Sequence, residues 1–121
     1  NIPDGMMTSV IYKISPRALW QEAEEKGVFE GAPIDHADGF IHFSTAEQAV
    51  ETAEKHFRGQ DDLLLIAIDP DKLGPALKFE PSRGGALFPH LYAPLKMEAV
   101  IWVKALPMKA DGLHDFPELA S

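Results

Sequence analysis

The feature that most constrains the fold is an unbroken apolar run in the middle of the chain, Leu63–Ile68. Turn-forming residues border it, and Asp69, Pro70 and Gly74 turn the chain after it. A strand with one solvent-exposed face alternates apolar and polar residues, whereas a continuous apolar run is typical of a strand that is buried on both faces. The run is far too short to cross a bilayer. It therefore predicts a strand inside a globular fold.

Length and composition fit one such domain. The chain has 121 residues, of which 45% are hydrophobic and 25% charged, a balance that allows a buried core. We expect a single globular domain at residues 9–106 and a C-terminal tail at 107–121. Residues 1–5 are polar and turn-prone, which predicts a disordered or expression-derived leader at residues 1–8, with Met6 or Met7 as the natural start.

The charge restricts the class of partner. The formal net charge is −8 and only three arginines occur, so a nucleic-acid partner is not expected, since such binding depends on Lys and Arg. The absence of cysteine removes disulfides, thiolate nucleophiles and Cys-based zinc sites. No signal segment or membrane-spanning run is present, which predicts a cytoplasmic protein without a membrane partner. A small-molecule ligand stays possible, and the sequence leaves a protein partner open.

The remaining pattern predicts an α+β fold. Residues 10–14 are β-branched and aromatic, and Ser15 with Pro16 gives a helix start that runs to a stop at Gly27. Further elements follow in chain order: a loop at 31–39, a strand at 40–44, a helix from a Thr45–Gln48 capping box to Gly59, a half-exposed strand at 77–80, a proline-interrupted edge strand or strand-like loop at 88–95 and a strand at 99–105. We therefore expect two helices in the N-terminal half, packed on a mixed or antiparallel sheet.

His42 is the sharpest candidate for chemistry. It interrupts an apolar strand just before a helix N-terminus, and period-two alternation places Phe40, His42 and Ser44 on one face. Histidine moves protons near neutral pH, and helix amides can hold an anion. The alternative is a structural histidine whose imidazole bonds a neighbouring carbonyl.

His90 is the second candidate. It lies in a stiff Phe-Pro-His-Leu-Tyr segment, where it and Tyr92 could line a pocket, although a surface turn is an equal alternative. Arg83, followed by two glycines, could meet a ligand phosphate, but glycine pairs are more often plain turns. A metal site would need a third ligand from Asp35, His36 or Asp38, and no standard zinc spacing is present, so none is predicted.

Two of these motifs carry a resemblance. Residues 38–45 (DGFIHFST), Glu47-Gln48 and residues 88–92 (FPHLY), with residues 11–14 and Trp20, resemble the bacterial domain-of-unknown-function 952 family. That family is thought to share the ADP-ribosyltransferase-like fold, a split, bent sheet with a cleft for NAD. The segment from Ile41 through Asp69 is also similar to the Val-His-Leu-Ser region of RNA 2′-phosphotransferases.

The resemblance implies a site. His42 and His90 would be the catalytic pair, and the cofactor-binding set would be Lys13, Ser44, Thr45, Arg83 and Tyr92. Departures weaken an inherited activity, because Lys13 stands where those transferases carry His or Arg, and no local motif supports Glu80 as the late carboxylate. Three hypotheses follow: an enzyme that handles NAD or a related nucleotide, a non-catalytic module that binds a small ligand or a protein, and a metal-dependent enzyme.

Overall fold

The computed structural model describes residues 9–120, apart from the side chain of Arg83. The predicted leader at 1–8 and Ser121 lie outside the described residues. The helices and strands are, in chain order, β1 (Ile11–Pro16), α1 (Arg17–Lys26), β2 (Val28–Phe29), α2 (Pro33–Asp38), β3 (Ile41–His42), β4 (Ser44–Thr45), α3 (Ala46–His56), β5 (Leu63–Ile68), β6 (Leu77–Pro81), β7 (Leu87–Leu91), β8 (Leu95–Lys96) and β9 (Val100–Leu106).

The apolar run is the central strand, as its composition predicts. Strand β5 pairs with β1 on one side and β9 on the other, in a four-stranded antiparallel sheet of order β9-β5-β1-β4. All six residues of β5 are buried. Its alternate side chains serve two cores, since Leu64 and Ile66 pack with Trp20 of α1, while Leu65 packs with Ala53 of α3. Helices α1 and α3 therefore cover opposite faces of the sheet.

Two smaller antiparallel sheets complete the fold. One pairs β2 with β8, and the other has the order β3-β7-β6. The prediction of an edge strand or a strand-like loop for the proline-interrupted segment is wrong, because β7 is the middle strand of its sheet. Pro89 is tolerated there because β3 ends at His42. The carbonyl of Pro89 accepts from Phe43 N at 3.0 Å, and the N–H that would complete this pair is the one that proline lacks.

The described residues contain three α-helices rather than the two expected. The loop predicted at 31–39 holds the short helix α2, which starts with Pro33 and ends at Gly39 in the left-handed conformation, φ +87°. Proline at the first position and glycine after the last are helix boundary signals. Six residues are too few to show an apolar period, so turn composition favoured a loop.

The start of the first helix also differs from the prediction. Ser15 and Pro16 continue β1, where Pro16 pairs with Leu63, and the helix begins at Arg17. Its predicted stop is confirmed, since Gly27 adopts φ +83° and its N–H bonds Ala23 O. The capping box of α3 is also present, with Gln48 Oε1 accepting from Thr45 N at 3.1 Å.

Residues after β9 pack back on the domain. The Tyr12 hydroxyl donates to the carbonyl of Ala120 at 2.7 Å, and Phe116 and Leu119 cover the core beside α3. His114 is buried, and its Nε2 contacts Gln60 O at 2.8 Å. Among residues 9–120, every helix is too short or too polar to cross a membrane.

Candidate functional site

The site lies where the chain passes from one sheet to another. A single strand was predicted over residues 40–44, but the structure divides it into β3 and β4, with buried Phe43 between them. His42 on β3 belongs to the three-stranded sheet, whereas Ser44 on β4 pairs with Tyr12 of the four-stranded sheet. The side chains of both sheets therefore meet at this junction.

The structure brings the two predicted histidines together. His42 and His90 are direct cross-strand partners on β3 and β7, and their ring centroids lie 5.6 Å apart in an edge-on arrangement. Phe40 stacks on His90 with a centroid distance of 4.0 Å and lies 4.6 Å from the ring of His42. Phe40 and His42 thus share a face, as alternation predicts, while Ile41 enters the core.

Carboxylates hold both nitrogens of the His42 ring. Nδ1 lies 2.6 Å from Oδ1 of Asp35, and Nε2 lies 2.8 Å from Oδ2 of Asp38. Both carboxylates lie on α2, the helix that was predicted as a loop, and they are the hydrogen-bond partners of the imidazole. The ring is half-buried, with 32% of its side-chain surface exposed.

Asp35 is the hub of a buried cluster. Its side chain is 1% exposed and forms an ion pair with Nζ of Lys13, at 3.0 and 3.1 Å from the two carboxylate oxygens. It also accepts from the backbone N–H groups of Ala32 at 2.7 Å and His42 at 3.1 Å. Burial pushes the pKa of the Asp35 carboxyl upward, but the His42 hydrogen bond and the Lys13 charge outweigh it and hold that pKa well below its usual range.

Lys13 is confined by the same cluster. Its ammonium donates to Asp35 and to the carbonyl of His42 at 3.0 Å, and its side chain is 6% exposed. Burial lowers the pKa of the Lys13 ammonium, with Asp35 opposing that shift. The residue lines the pocket, but its charge is committed to Asp35.

His90 has a parallel arrangement on its own sheet. Its Nδ1 lies 2.8 Å from Oε1 of Glu80 on β6, and the hydroxyl of Tyr92 donates to the same oxygen at 2.7 Å. These two hydrogen bonds, first that of Tyr92 and then that of His90, lower the pKa of the Glu80 carboxyl. The hydrogen bond to Glu80 raises the pKa of Tyr92. Each histidine is therefore held at Nδ1 by a carboxylate.

Both imidazoles line one pocket with a volume of about 520 Å³. Aromatic and polar side chains from both sheets and from α3 form its walls, among them Tyr12, Phe43, Ser44, Thr52, Phe57 and Phe88. Of the other predicted ligand contacts, Lys13 and Ser44 line the pocket, with the hydroxyl of Ser44 bonded to that of Thr52 at 2.9 Å. Thr45 serves as the N-cap of α3, and Tyr92 reaches the site through Glu80. The Arg83 side chain lies outside the described residues.

Sequence reasoning missed the role of Asp35 and left Glu80 without support. It considered Asp35 and Asp38 only as metal ligands, because neither α2 nor the pairing of β6 with β7 is legible from spacing. Across the part of the chain that the structure describes, no group of three or more His, Cys, Asp or Glu side chains is arranged to hold a metal ion.

An α+β domain with a cross-strand histidine pair, anchored by buried and half-buried carboxylates, defines the class of this molecule. The chain belongs to the family described as "Protein of unknown function (DUF952)", whose match covers residues 14–103. The predicted family resemblance is thereby confirmed.

Solved structures of one protein are similar over nearly the whole chain. The crystal structure of protein CC0527 from Caulobacter crescentus is 53% identical, with a TM-score of 0.85, and the match covers 88% of this chain and 93% of that one. The solution NMR structure of CC0527 is 54% identical, with a TM-score of 0.78, covering 86% and 90%. No curated protein matches the sequence. The similarity therefore extends over the fold and is not confined to the two histidine motifs.

Proposed function

We propose that the pocket binds NAD or a related nucleotide and that the domain acts on it as an ADP-ribosyltransferase-like enzyme. The observation that carries the proposal is the convergence of His42 and His90, each held at Nδ1 by a carboxylate, on one pocket of about 520 Å³. Pockets of roughly 300–1,000 Å³ with apolar walls and a few fixed polar groups are typical of small-molecule sites.

The lining suits part of such a ligand well. Phe43, Phe57 and Phe88 offer apolar surfaces for a base or a nicotinamide ring, and Ser44 and Thr52 bring hydroxyls into the same wall. Among the described lining side chains, histidines are left to meet the phosphates, because the charge of Lys13 is committed to Asp35. Bound NAD would supply the glycosidic bond between ribose and nicotinamide as the bond to be broken, with nicotinamide leaving and the ADP-ribosyl group passing to an acceptor hydroxyl or, in its absence, to water.

The residues of the chain would hold and move protons. A histidine fixed at Nδ1 by a carboxylate presents Nε2 in one orientation, which is the arrangement used for general acid–base catalysis. His90 fits this role because its ring is buried and stacked on Phe40, and a flip of the ring would lose the hydrogen bond between Nδ1 and Glu80.

One observation favours a second candidate, a non-catalytic module that binds a small ligand. Lys13, which the resemblance places at the ribose-binding position, is enclosed by Asp35 and the His42 carbonyl, and both nitrogens of His42 already have partners. In that case the pocket recognises its ligand and no bond is broken.

Calorimetric titration with NAD, NADP and ADP-ribose, together with chromatographic detection of nicotinamide, separates the candidates. We expect heat of binding, a rise in melting temperature and slow nicotinamide release that His90→Gln abolishes. His36→Gln is the matched control, since His36 is exposed and does not line this pocket. Binding without release would favour the module, and no heat or melting shift at millimolar ligand would contradict the nucleotide proposal.

A further inference from the structure

We infer that Asp35 and Glu80 are positioning residues that hold Nδ1 of the two imidazoles, and that the further contact with Asp38 makes the roles of the rings opposite, His90 presenting a bare Nε2 and His42 presenting an Nε2 proton. The inference deepens the proposed function and rests on it for the identity of the ligand. The proton positions themselves are properties of the ligand-free protein.

The role of His90 follows from its partner. An ionised carboxylate can only accept, so Glu80 places the proton of a neutral His90 ring on Nδ1 and leaves the lone pair on Nε2. The side chain of His90 is 6% exposed, and Nε2 has no hydrogen-bond partner among the described residues. An acceptor without a donor from the described residues, in a ring that lines the pocket, is suited to take a proton or a hydrogen bond from a ligand hydroxyl.

The role of His42 is the reverse. Each ring nitrogen lies within 2.8 Å of a carboxylate oxygen, and two lone pairs would repel at such distances, so a proton must lie on both contacts. The Nδ1 contact is fixed because Asp35 is 1% exposed, whereas Asp38 is 44% exposed and its carboxylate can turn into solvent. A ligand acceptor that replaces Asp38 would then meet the Nε2 proton of His42.

Asp35 fixes the position of His42 as well as its proton. It accepts from the Nδ1 side of the ring and from the backbone N–H of the same residue, so ring and main chain are held by one buried group. Glu80 contacts His90 through Nδ1 of the ring, and among the described residues no second carboxylate meets Nε2 of that ring as Asp38 meets Nε2 of His42. The two histidines, although side by side, therefore differ in what they present to the pocket.

Long-range ¹H–¹⁵N NMR of the ring nitrogens tests the inference in ligand-free protein at neutral pH. We expect His90 with a protonated Nδ1 and an unprotonated Nε2, and His42 with protons on both nitrogens. Glu80→Gln should convert His90 to a tautomer mixture in which the Nε2–H form becomes the major one, because the negative charge that fixes the proton is gone. A merely structural role for Glu80 would leave the tautomer unchanged.

Tyr92→Phe is the matched control, since it removes the other hydrogen bond to the same Glu80 oxygen and leaves the His90 contact in place. It should not change the tautomer. An Nε2–H tautomer of His90 in the unaltered protein, or an unprotonated nitrogen in His42, would overturn the inference even if Glu80→Gln failed to fold. If the proton positions are as expected and NAD does not bind, the inference stands and the nucleotide proposal fails.

Discussion

Replacing Asp35 with alanine should destabilise the domain more than any exposed substitution. The change leaves the Lys13 ammonium buried, with only the His42 carbonyl as a partner, and removes the acceptor of two backbone N–H groups. Removing one partner of a buried ion pair costs about 3–5 kcal/mol. For a domain of this size, at roughly 4 °C per kcal/mol, we expect the melting temperature to fall by about 10–20 °C.

Chemical denaturation followed by circular dichroism measures the loss. Asp38→Ala is the matched control, because Asp38 lies on the same helix but is 44% exposed, and it should cost less than about 1 kcal/mol. The double substitution Lys13→Met, Asp35→Leu removes both charges and should recover much of the stability. A loss below about 1 kcal/mol for Asp35→Ala, or a double variant no better than the single one, would refute the reasoning from the buried pair.

Three further outcomes follow from the structure. The pKa of Asp35 is lower in the folded protein than in the unfolded chain, where it is about 4. The ionised carboxylate therefore stabilises the fold above a pH of about 4, and this stabilisation should be lost as the pH falls below that value. Urea denaturation midpoints should accordingly decrease in acid for the unaltered protein, and decrease less for Asp35→Asn. The pKa of Tyr92, raised by Glu80, should return towards 10 in Glu80→Gln, as ¹³C NMR titration would show. Ile66→Ala, in the fully buried central strand, should cost about 2–5 kcal/mol in unfolding free energy, against less than about 1 for the half-exposed Ile101→Ala.

Local pattern was sufficient for the centre of the fold. The run at β5 has no polar face to expose, so its burial follows from composition alone, and the Thr45–Gln48 box marks the start of α3 by chemistry within one turn. The pairing of His42 with the face of Phe40 also follows from alternation over a few residues. These features depend on neighbours in sequence.

The parts that were missed depend on distant residues. Helix α2 is too short for a period, and its purpose becomes visible only when Asp35 meets Lys13, 22 positions away. The missing N–H of Pro89 favoured an edge strand. Because β3 ends at His42, however, the position of Pro89 in the middle strand does not need to donate a backbone hydrogen bond. Residue spacing predicts neither the role of α2 nor the position of Pro89, because both depend on which elements become neighbours in the folded chain.

Phe43 gives the site an unusual dependence on the rest of the molecule. Phe43 is the one residue between β3, which carries His42, and β4, which carries Ser44, and these two strands belong to different sheets. The width of the pocket is consequently set by the angle between the two sheets and not by the geometry of either sheet alone. Substitutions in the core under the four-stranded sheet should thus change the positions of the His42 and His90 rings, even when the substituted residue contacts neither ring.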